Sequence, residues 1–374
     1  MNWVLITGGV YSGIGKGCLA AILARFIQQN TAYKVAYKKL EPCLQGNIDD
    51  LPNDIFGEIA AHAQGQIFDG DVARAAFYIP NFLPEADTHL SLGQALDKFL
   101  PIAFQNTKNS PRLNQVAQIY RDLFDNQNTD NQLFVVEIGG TAGEQEHSLV
   151  CNFLLKTLGK PLLHFHLTAI LQTLSQRTTS KPAQLCLAAL SYPADVVLVR
   201  SLKSADLSAL RDYVGNQSIV EAITQDYWAE RAYWRVLQTE SILNKLATYI
   251  PNFNPAHTDE LFANSQPQPL HHIAIITDSL HSDSYQSLYN RILAWGKGTL
   301  YPINSSQISE NQPIAVIRIG EKTPAANFLP QLPCLEIVPV DKGQNPRNFA
   351  FRPDWQGSAD QPTGELWEFL SQFL

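Results

Sequence analysis

Short apolar runs separated by longer segments of helical periodicity make up the first two hundred residues of the chain. Because these runs are apolar throughout rather than alternating, each is typical of a strand that is buried on both faces. Such strands, joined by helical segments, predict a mostly parallel α/β sheet covered on both faces by helices. Ligands of such sheets bind beyond the carboxyl ends of the strands. The predicted strands lie at 2–7, 33–40, 133–138, 161–167 and 194–201.

The first predicted strand runs directly into a glycine-rich turn at 8–17, and helical periodicity follows from residue 18. Glycines let backbone N–H groups turn toward phosphate oxygens, and the helix N-terminus adds its positive end. A lysine at this place supplies a mobile positive charge. The alternative, a glycine-rich turn before an ordinary helix, is the less favoured interpretation. The turn therefore predicts an ATP-binding phosphate loop made by Gly9, Ser12, Gly13, Ile14, Gly15, Lys16 and Gly17.

This turn departs from the usual pattern G-x-x-x-x-G-K-[ST]. Five residues separate Gly9 from Gly15, and Gly17 stands where Ser or Thr would hold Mg²⁺. Since glycine has no side-chain oxygen, a magnesium ligand must come partly from another segment.

Charged residues stand at the ends of two other predicted strands. Glu137 ends an apolar strand and has two glycines behind it, which favours a magnesium ligand over a solvated residue. Lys39 is a weaker signal, because a second lysine precedes it. Asp69 and Asp71, on one side of a predicted extended segment, could offer another carboxylate, and the residues alone leave that question open.

Two histidines alternate along the run at 161–167. His164 and His166 are predicted to share one face of the strand, because side chains alternate between faces. Ordinary strand histidines are favoured over a ligand role.

The last third of the chain predicts a second, smaller α/β domain. A helical, aromatic-rich segment at 225–250 precedes a stretch rich in Pro, Asn and Gln, and two further buried strands begin near residues 272 and 313. The predicted organisation is a first domain at 1–250, a linker at 251–269 and a second domain at 270–374.

Composition narrows the class of protein. The 374 residues suffice for two domains, and the net charge of −8 is spread without a basic stripe, which argues against nucleic-acid binding. The five cysteines have no C-x-x-C spacing, so reduced thiols are expected and a zinc site is not. No apolar run is long enough to span a membrane, and no leader segment is recognisable. These features predict a soluble, cytoplasmic protein without a membrane partner.

Together the motifs resemble the synthetase (amidoligase) domain of CTP synthase, from residue 3 to about 202. The turn is similar to that family's TGGVxSxxGKG loop, including its departure from the usual pattern. Five further blocks follow in order and at matching spacing. They are Lys39-Leu-Glu-Pro42 (KLDP in the family), Gly57-Glu58-Ile with Asp69-x-Asp71 (GEVFV…DxD), 136–146 (VEIGGTVGDIE), 179–184 (KTKPTQ) and 194–201 (PDILxxRS).

The resemblance implies a phosphate-loop fold of the dethiobiotin-synthetase type and ATP-dependent amination of a uracil-type carbonyl. ATP would phosphorylate the oxygen, and ammonia would displace the phosphate. Lys16 and Lys39 would neutralise the transferring phosphoryl group, while Asp71 and Glu137 would hold Mg²⁺. The resemblance also implies a homo-oligomer, a dimer or tetramer, with nucleotide sites between subunits. The pyrimidine nucleotide would contact Glu144, Glu146, Lys181 and Gln184.

Several family residues are replaced. Arg74 stands in place of a histidine after DxDLG, Phe56 in place of the histidine before GEV, and Thr179 in place of the first lysine of KTKPTQ. The segments ERRGDYLG and TVQVIPH have no counterpart between residues 89 and 125. These replacements remove charges expected around a triphosphate, so an acceptor other than UTP stays open.

The end of the chain resembles the closing FHPEF…PLF stretch of a class I glutaminase. Arg352 replaces the histidine and Asp354 the glutamate of the triad, and Cys334 lacks the glycines of a nucleophile elbow. An arginine cannot act as a general base, because its pKa stays above 12. The second domain is therefore expected not to hydrolyse glutamine, but to support assembly or pack against the first domain.

Three functions stay open at this stage. The first is a Mg²⁺/ATP-dependent ligase of the CTP-synthase type that uses free ammonia or an amine delivered by a protein partner. The second is a non-catalytic, nucleotide-binding paralogue that regulates a partner such as a genuine CTP synthase. The third and weakest is a carboxylate-activating amidoligase related to dethiobiotin synthetase.

Overall fold

A computed structural model describes most of the chain. The described residues are 1–43, 59–61, 67–85, 88–95, 118–124, 131–172, 178–200, 207–255, 259–263, 271–277, 282–296, 299–319, 331–337, 339–341, 349–351 and 358–374, apart from residues 12, 123, 225 and 227.

Strands and helices alternate along these segments, and both are numbered in chain order. The strands are β1 (Asn2–Gly8), β2 (Lys34–Glu41), β3 (Ile59–Ala61), β4 (Ile67–Asp69), β5 (His89–Ser91), β6 (Gln132–Ile138), β7 (Leu163–Ala169), β8 (Leu171–Gln172), β9 (Thr178–Thr179), β10 (Val196–Arg200), β11 (Ile219–Ile223), β12 (His271–Thr277), β13 (Leu300–Asn304), β14 (Ala315–Ile319), β15 (Cys334–Ile337), β16 (Pro339–Asp341) and β17 (Phe349–Phe351). The helices are α1 (Lys16–Gln29), α2 (Gly70–Tyr78), α3 (Gln145–Leu158), α4 (Lys181–Ala188), α5 (Ser208–Val214), α6 (Ala229–Leu237), α7 (Glu240–Tyr249), α8 (Glu260–Ala263), α9 (Ser282–Gly296) and α10 (Glu365–Leu370). Single 3₁₀ turns lie at Gly215–Gln217 and Ser305–Gln307. Among the helices of the described segments, none combines the length and the apolar content that a membrane crossing requires.

The chain divides into two compact units. The first consists of 1–47 and 81–257, and the second of 48–80 and 258–374. Residues 48–80 thus group with the C-terminal part of the chain. The domain limits predicted from the sequence, at 250 and 270, stay a prediction.

The first unit is built on a seven-stranded sheet with the order β11-β10-β7-β1-β6-β2-β5. Each neighbouring pair is parallel, which confirms the predicted α/β class. β1 lies at the centre, between β6 and β7. The chain passes from β1 to β2 on one side, and later from β6 to β7 on the other. Such a change of direction places a crevice at the carboxyl ends of the strands, where ligands bind.

Both faces of β1 are buried. Trp3 and Leu5 belong to a core cluster that includes Phe153 of α3, while the alternating Val4 and Ile6 are fully buried as well. α1 contacts β1, β2 and β6. It also packs on α6, where the rings of Phe26 and Trp234 meet with centroids 4.7 Å apart. The apolar runs therefore form a sheet covered on both faces, as predicted.

The second unit has its own parallel sheet, with the strand order β13-β12-β14-β15. β12 and β14 are the two strands predicted near residues 272 and 313. Antiparallel pairs join β3 to β4 and β16 to β17. The structure thus contains the second, smaller α/β sheet that the sequence predicts.

Two short elements were not predicted from the sequence. The first is strand β5, in which His89–Ser91 pairs with the carboxyl end of β2. A run of three residues is too short to show a period. The predicted linker at 251–269 also contains the short helix α8.

Candidate functional site

The turn between β1 and α1 leaves the start of α1 open to an anion. Gly13 and Gly15 have positive φ values, of 71° and 105°, and a Cβ at Gly13 would meet no atom within 4 Å. α1 begins at Lys16 without a side-chain cap. Its first N–H groups lack partners inside the helix and carry the positive end of the helix dipole, so this end suits a phosphate. Ser12 lies outside the described residues.

Lys16 lies along the carboxyl edge of the sheet. Its aliphatic chain covers Gly8, where a Cβ would come within 2.8 Å of the lysine Cδ. Its ammonium donates to the carbonyl oxygen of Gly140 at 2.8 Å, in the loop after β6. Lys16 therefore connects the turn after β1 with the loop that follows Glu137.

Lys39 and Glu137 are neighbours on adjacent parallel strands, in register with each other. Both side chains are buried, with 2% and 1% exposure. Tyr37 donates a hydrogen bond of 2.6 Å to Oε2 of Glu137, and the Lys39 ammonium forms an ion pair with Oε1 of Glu41 at 3.0 Å. The structure thus brings a predicted lysine and a predicted magnesium ligand to one face of the sheet.

The two glycines after β6 make room for carboxylates. A Cβ at Gly139 would lie 1.8 Å from Oε2 of Glu41, and a Cβ at Gly140 would lie 2.6 Å from Oε2 of Glu144. Gly140 also has a positive φ of 68°. Any other residue at Gly139 would displace the carboxylate that holds Lys39.

Asp71 belongs to the second unit and lies in the first turn of α2, whereas Asp69 is the last residue of strand β4, so the predicted extended segment ends at Asp69. The carboxylate of Asp69 caps α2, because its Oδ1 accepts the N–H of Asp71 at 2.8 Å and that of Val72. Short polar side chains at this position favour a helix start. Asp71 stands in the first turn and pairs with Arg74 through Oδ1 and Nη1 at 2.5 Å. The common magnesium site of Asp71 and Glu137 stays a prediction.

The residues predicted to contact the pyrimidine nucleotide stand at or near the starts of two helices of the first unit. Glu144 and Glu146 are exposed at the start of α3, and the Oε2 of Glu144 accepts the N–H of Thr141 at 3.1 Å. Lys181 is the exposed first residue of α4. Gln184 lies one turn further along α4 and donates to Ser180 at 3.2 Å. Their contact with a nucleotide stays a prediction.

Thr7 connects the two histidines of β7. Its hydroxyl lies 2.7 Å from Nε2 of His164 and 2.8 Å from Nδ1 of His166, which confirms that both histidines share one face. The Nδ1 of His164 faces the carbonyl of Tyr192 at 3.0 Å and therefore carries the proton. Thr7 then donates to His164 and accepts from His166. By this assignment, Nε2 of His166 is an unprotonated acceptor.

A third histidine, which the sequence analysis did not single out, lies in the same region. Burial and, second, the charge of Lys16 lower the pKa of His147 to about 4. Burial likewise lowers the pKa of His164 to about 4, and that of His166 well below its usual value. The Nε2 atoms of His147 and His166 are buried and have no hydrogen-bond partner among the residues that the structure describes. At neutral pH these imidazoles are uncharged, so they add no positive charge beneath the phosphate loop.

α4 also contacts the phosphate loop directly. The thiol of Cys186 accepts the N–H of Val10 at 3.1 Å, and a Cβ at Gly9 would lie 2.6 Å from the Cβ of Cys186. Val10 has a positive φ of 81°, which is strained for a β-branched residue. Sequence spacing carries no signal for this contact, because 176 residues separate its partners.

The second unit shows no nucleophile elbow around Cys334 in its described residues. Cys334 opens strand β15 and pairs in register with Val316, so no sharp turn into a helix presents its thiol. Partial burial raises the pKa of this thiol, which favours the unreactive protonated form. Arg352 and Asp354 lie outside the described residues.

A parallel α/β sheet whose first strand leads through a glycine-rich turn to a lysine at a helix start defines a phosphate-loop nucleotide-binding protein. Residues 2–225 match the family model described as CTP synthase N-terminus. The chain belongs to that family. The match ends before the second sheet, so the likeness of the C-terminal segment to a glutaminase stays a prediction.

Individual relatives are distant. CTP synthase of Deinococcus radiodurans is 25% identical over 252 residues, which cover 62% of this chain and 45% of the relative. CTP synthase of Thermosipho africanus is 25% identical over 56% of this chain and 41% of its own length, and that of Thermus thermophilus is 26% identical over 54% and 39%. The chain thus spans less than half the length of these relatives. A crystal structure of the signal recognition particle receptor FtsY from Elizabethkingia anophelis in complex with GDP is similar at a TM-score of 0.34 and 11% identity, over 63% of this chain and 64% of that chain.

Proposed function

We propose that this protein is an ATP- and Mg²⁺-dependent amidoligase. It would phosphorylate the carbonyl oxygen of a UTP-like pyrimidine nucleotide and aminate that carbon with ammonia. The observation that carries the proposal is the arrangement at the carboxyl edge of the first sheet. There Lys16 lies at the open start of α1, and Lys39 and Glu137 are buried on neighbouring strands. The chain that carries them belongs to the CTP synthase N-terminus family.

The donor set fits a nucleotide triphosphate and its magnesium ion. Carboxylate oxygens are the ligands that Mg²⁺ prefers, and Glu137 places one among buried neighbours, while Asp71 of the second unit is the other proposed ligand. When bound, the ion neutralises charge on the phosphate oxygens. Lys16 would hold the terminal phosphates, and Lys39 would stabilise the charge that develops during phosphoryl transfer.

We further propose that the ammonia is free or is delivered by a protein partner. Cys334 is the first residue of β15, and the pKa of its thiol is raised. Both features support a second unit without glutaminase activity. The dimer or tetramer and the cytoplasmic location expected from the sequence are part of the same proposal.

The test is ADP release by the purified protein with Mg²⁺, ATP, ammonium and a panel of pyrimidine nucleotides. We expect one nucleotide to raise ADP release well above background and to yield its aminated product. Lys16→Ala should abolish the reaction, because it removes the phosphate-binding charge. The proposal is wrong if no nucleotide in the panel raises ADP release.

A second candidate is a nucleotide-binding paralogue without catalysis that regulates a partner such as a genuine CTP synthase. Two ion pairs favour it: Arg74 pairs with the carboxylate of Asp71, and Glu41 pairs with the ammonium of Lys39. Both groups are needed for phosphoryl transfer in the first proposal. Purification from the native cell tests this candidate, because a regulator should retain its partner, and recovery of the chain alone would count against it.

A further inference from the structure

Two side chains from distant segments hold the last peptide of the phosphate loop. The carbonyl oxygen of Ile14 accepts a hydrogen bond of 2.7 Å from Nη1 of Arg200, the last residue of β10. The hydroxyl of Tyr233, a buried residue of α6, lies 3.5 Å from the same oxygen. The Arg200 bond is the short, charge-assisted one, and such bonds are stronger than neutral ones.

The conformation of Gly15 matches these two contacts. Its φ is 105°, and a Cβ would lie 2.5 Å from the hydroxyl of Tyr233 and 3.3 Å from Nη1 of Arg200. A side chain here would therefore collide with the Tyr233 hydroxyl, lie tightly against Arg200 and be strained by the backbone. Glycine, Arg200 and Tyr233 form one fitted arrangement at the start of α1.

This arrangement decides where the next amide points. In a trans peptide the C=O and the following N–H point in opposite directions. Since Arg200 holds the carbonyl of Ile14 on its own side, the N–H of Gly15 is directed away from Arg200. The N–H of Gly15 is one of the groups of the glycine-rich turn that a phosphate would accept from.

We propose that Arg200 is a positioning residue for the phosphate loop and that Tyr233 supports it. By holding the Ile14 carbonyl, Arg200 keeps the Gly15 amide directed at the phosphate before nucleotide arrives. The inference rests on the proposed function, because it assigns the loop to ATP.

The experiment measures Mg²⁺-ATP binding by calorimetry for the full chain and for Arg200→Gln, Arg200→Lys and Tyr233→Phe. Loss of one charge-assisted hydrogen bond should weaken binding about tenfold in Arg200→Gln. Arg200→Lys keeps a charged donor and should recover part of the affinity, while Tyr233→Phe should change it less. Arg211→Gln is the matched control, because Arg211 also donates to a backbone carbonyl, that of Val220 at 3.1 Å on β11.

Hydrogen–deuterium exchange supplies a second measurement that does not require ATP. Amides in residues 8–17 should exchange faster in Arg200→Gln than in the unmodified protein, while the thermal midpoint and the exchange elsewhere stay the same. If Arg200 only stabilised the sheet, Arg200→Gln should instead change amide exchange throughout the first unit.

The outcomes separate the two proposals. If the unmodified protein does not bind ATP, the proposed function is wrong. The exchange measurement then still tests whether Arg200 holds the phosphate loop. If it binds ATP and Arg200→Gln binds as tightly as Arg211→Gln, the positioning role is wrong while the function stands. If Arg200→Gln fails to fold, Arg200→Lys and Tyr233→Phe replace it in the test. The inference is wrong if both variants keep the ATP affinity and the amide exchange of residues 8–17 unchanged.

Discussion

Contacts of a few atoms place the charged residues at the carboxyl ends of β2 and β6. Glu41 lies against Gly139 and pairs with Lys39, while Tyr37 holds Glu137 through its hydroxyl. Each contact restricts one charged group to one place. Substitutions at this scale therefore test the geometry of the candidate site directly.

Gly139→Ala should lower the free energy of unfolding by about 1–3 kcal/mol, because the new Cβ would overlap the Glu41 carboxylate. The φ of Gly139 lies outside the left-handed region, so backbone strain plays no part. Urea denaturation measures the change. In a Glu41→Ala background the overlap is absent, so Gly139→Ala should there cost little beyond Glu41→Ala alone. A cost as large as in the unmodified protein would contradict this explanation.

Arg74→His should increase the apparent affinity for Mg²⁺ in the presence of ATP, if Asp71 is a ligand as proposed. The Asp71–Arg74 pair is partly exposed, with 19% and 26% side-chain exposure, so releasing it should change the affinity by about 2–10-fold. A magnesium titration of ATP binding measures it. Asp71→Asn is the opposing variant and should weaken binding; equal magnesium curves for all three proteins would remove Asp71 from the site.

Strand β7 and helix α3 carry the buried histidines that lie beneath the phosphate loop, and β1 contributes the threonine between two of them. Thr7 of β1 joins His164 and His166 of β7, and His147 comes from α3. Packing of three elements, rather than any one of them, removes these imidazoles from water. Their titration therefore reports on whether the elements stay packed.

The free energy of unfolding should decrease as the pH falls from about 6.5 to about 4. His147 and His164 have a pKa of about 4 in the folded protein and about 6.5 in the unfolded chain. In that window the unfolded chain binds more protons, so each histidine lowers stability by about 1.4 kcal/mol per pH unit on acidification. Above pH 6.5 neither histidine contributes a pH dependence.

Unfolding by urea at a series of pH values between 4 and 7 tests this directly. His147→Gln should reduce the slope by about one proton, because one titrating group is removed. An unchanged slope in His147→Gln would show that His147 is not buried as described.

The whole chain comprises two units, each with its own parallel sheet. The family match covers 2–225 and thus most of the first unit, while the second sheet lies beyond it. The supply of ammonia concerns the whole chain, because a CTP-synthase-like reaction needs ammonia at the first unit, whichever segment or partner delivers it.

Ammonium should support the proposed amination, whereas glutamine at the same concentration should not. Cys334 opens a strand and has a raised pKa, so it offers no reactive thiolate for glutamine. Coupled assays of ADP release with each amine source measure the difference, and Cys334→Ser should behave like the unmodified protein. Glutamine-dependent activity that disappears in Cys334→Ser would contradict the assignment of a second unit without glutaminase activity.

Most of the first sheet could be predicted from local sequence. The five apolar runs correspond to β1, β2, β6, β7 and β10, because a strand buried on both faces needs apolar residues at every position. Short elements were missed or mistaken. β5 has three residues and shows no period, and α2 begins directly after Asp69, so that Asp71 lies in a helix and not in the predicted extended segment.

Three features could be predicted from the sequence alone: the parallel α/β class, the glycine-rich turn with Lys16 at the start of a helix, and the family. Each depends on residues that lie close together in the chain. The contacts that hold the turn, in contrast, are visible only in the tertiary structure. Arg200, Tyr233 and Cys186 reach it from segments that lie more than 170 residues away. Such contacts depend on which strands become neighbours in the sheet, and no spacing along the chain encodes them. The same holds for the contact of Glu41 with Gly139, which requires that β2 and β6 become neighbours in the sheet.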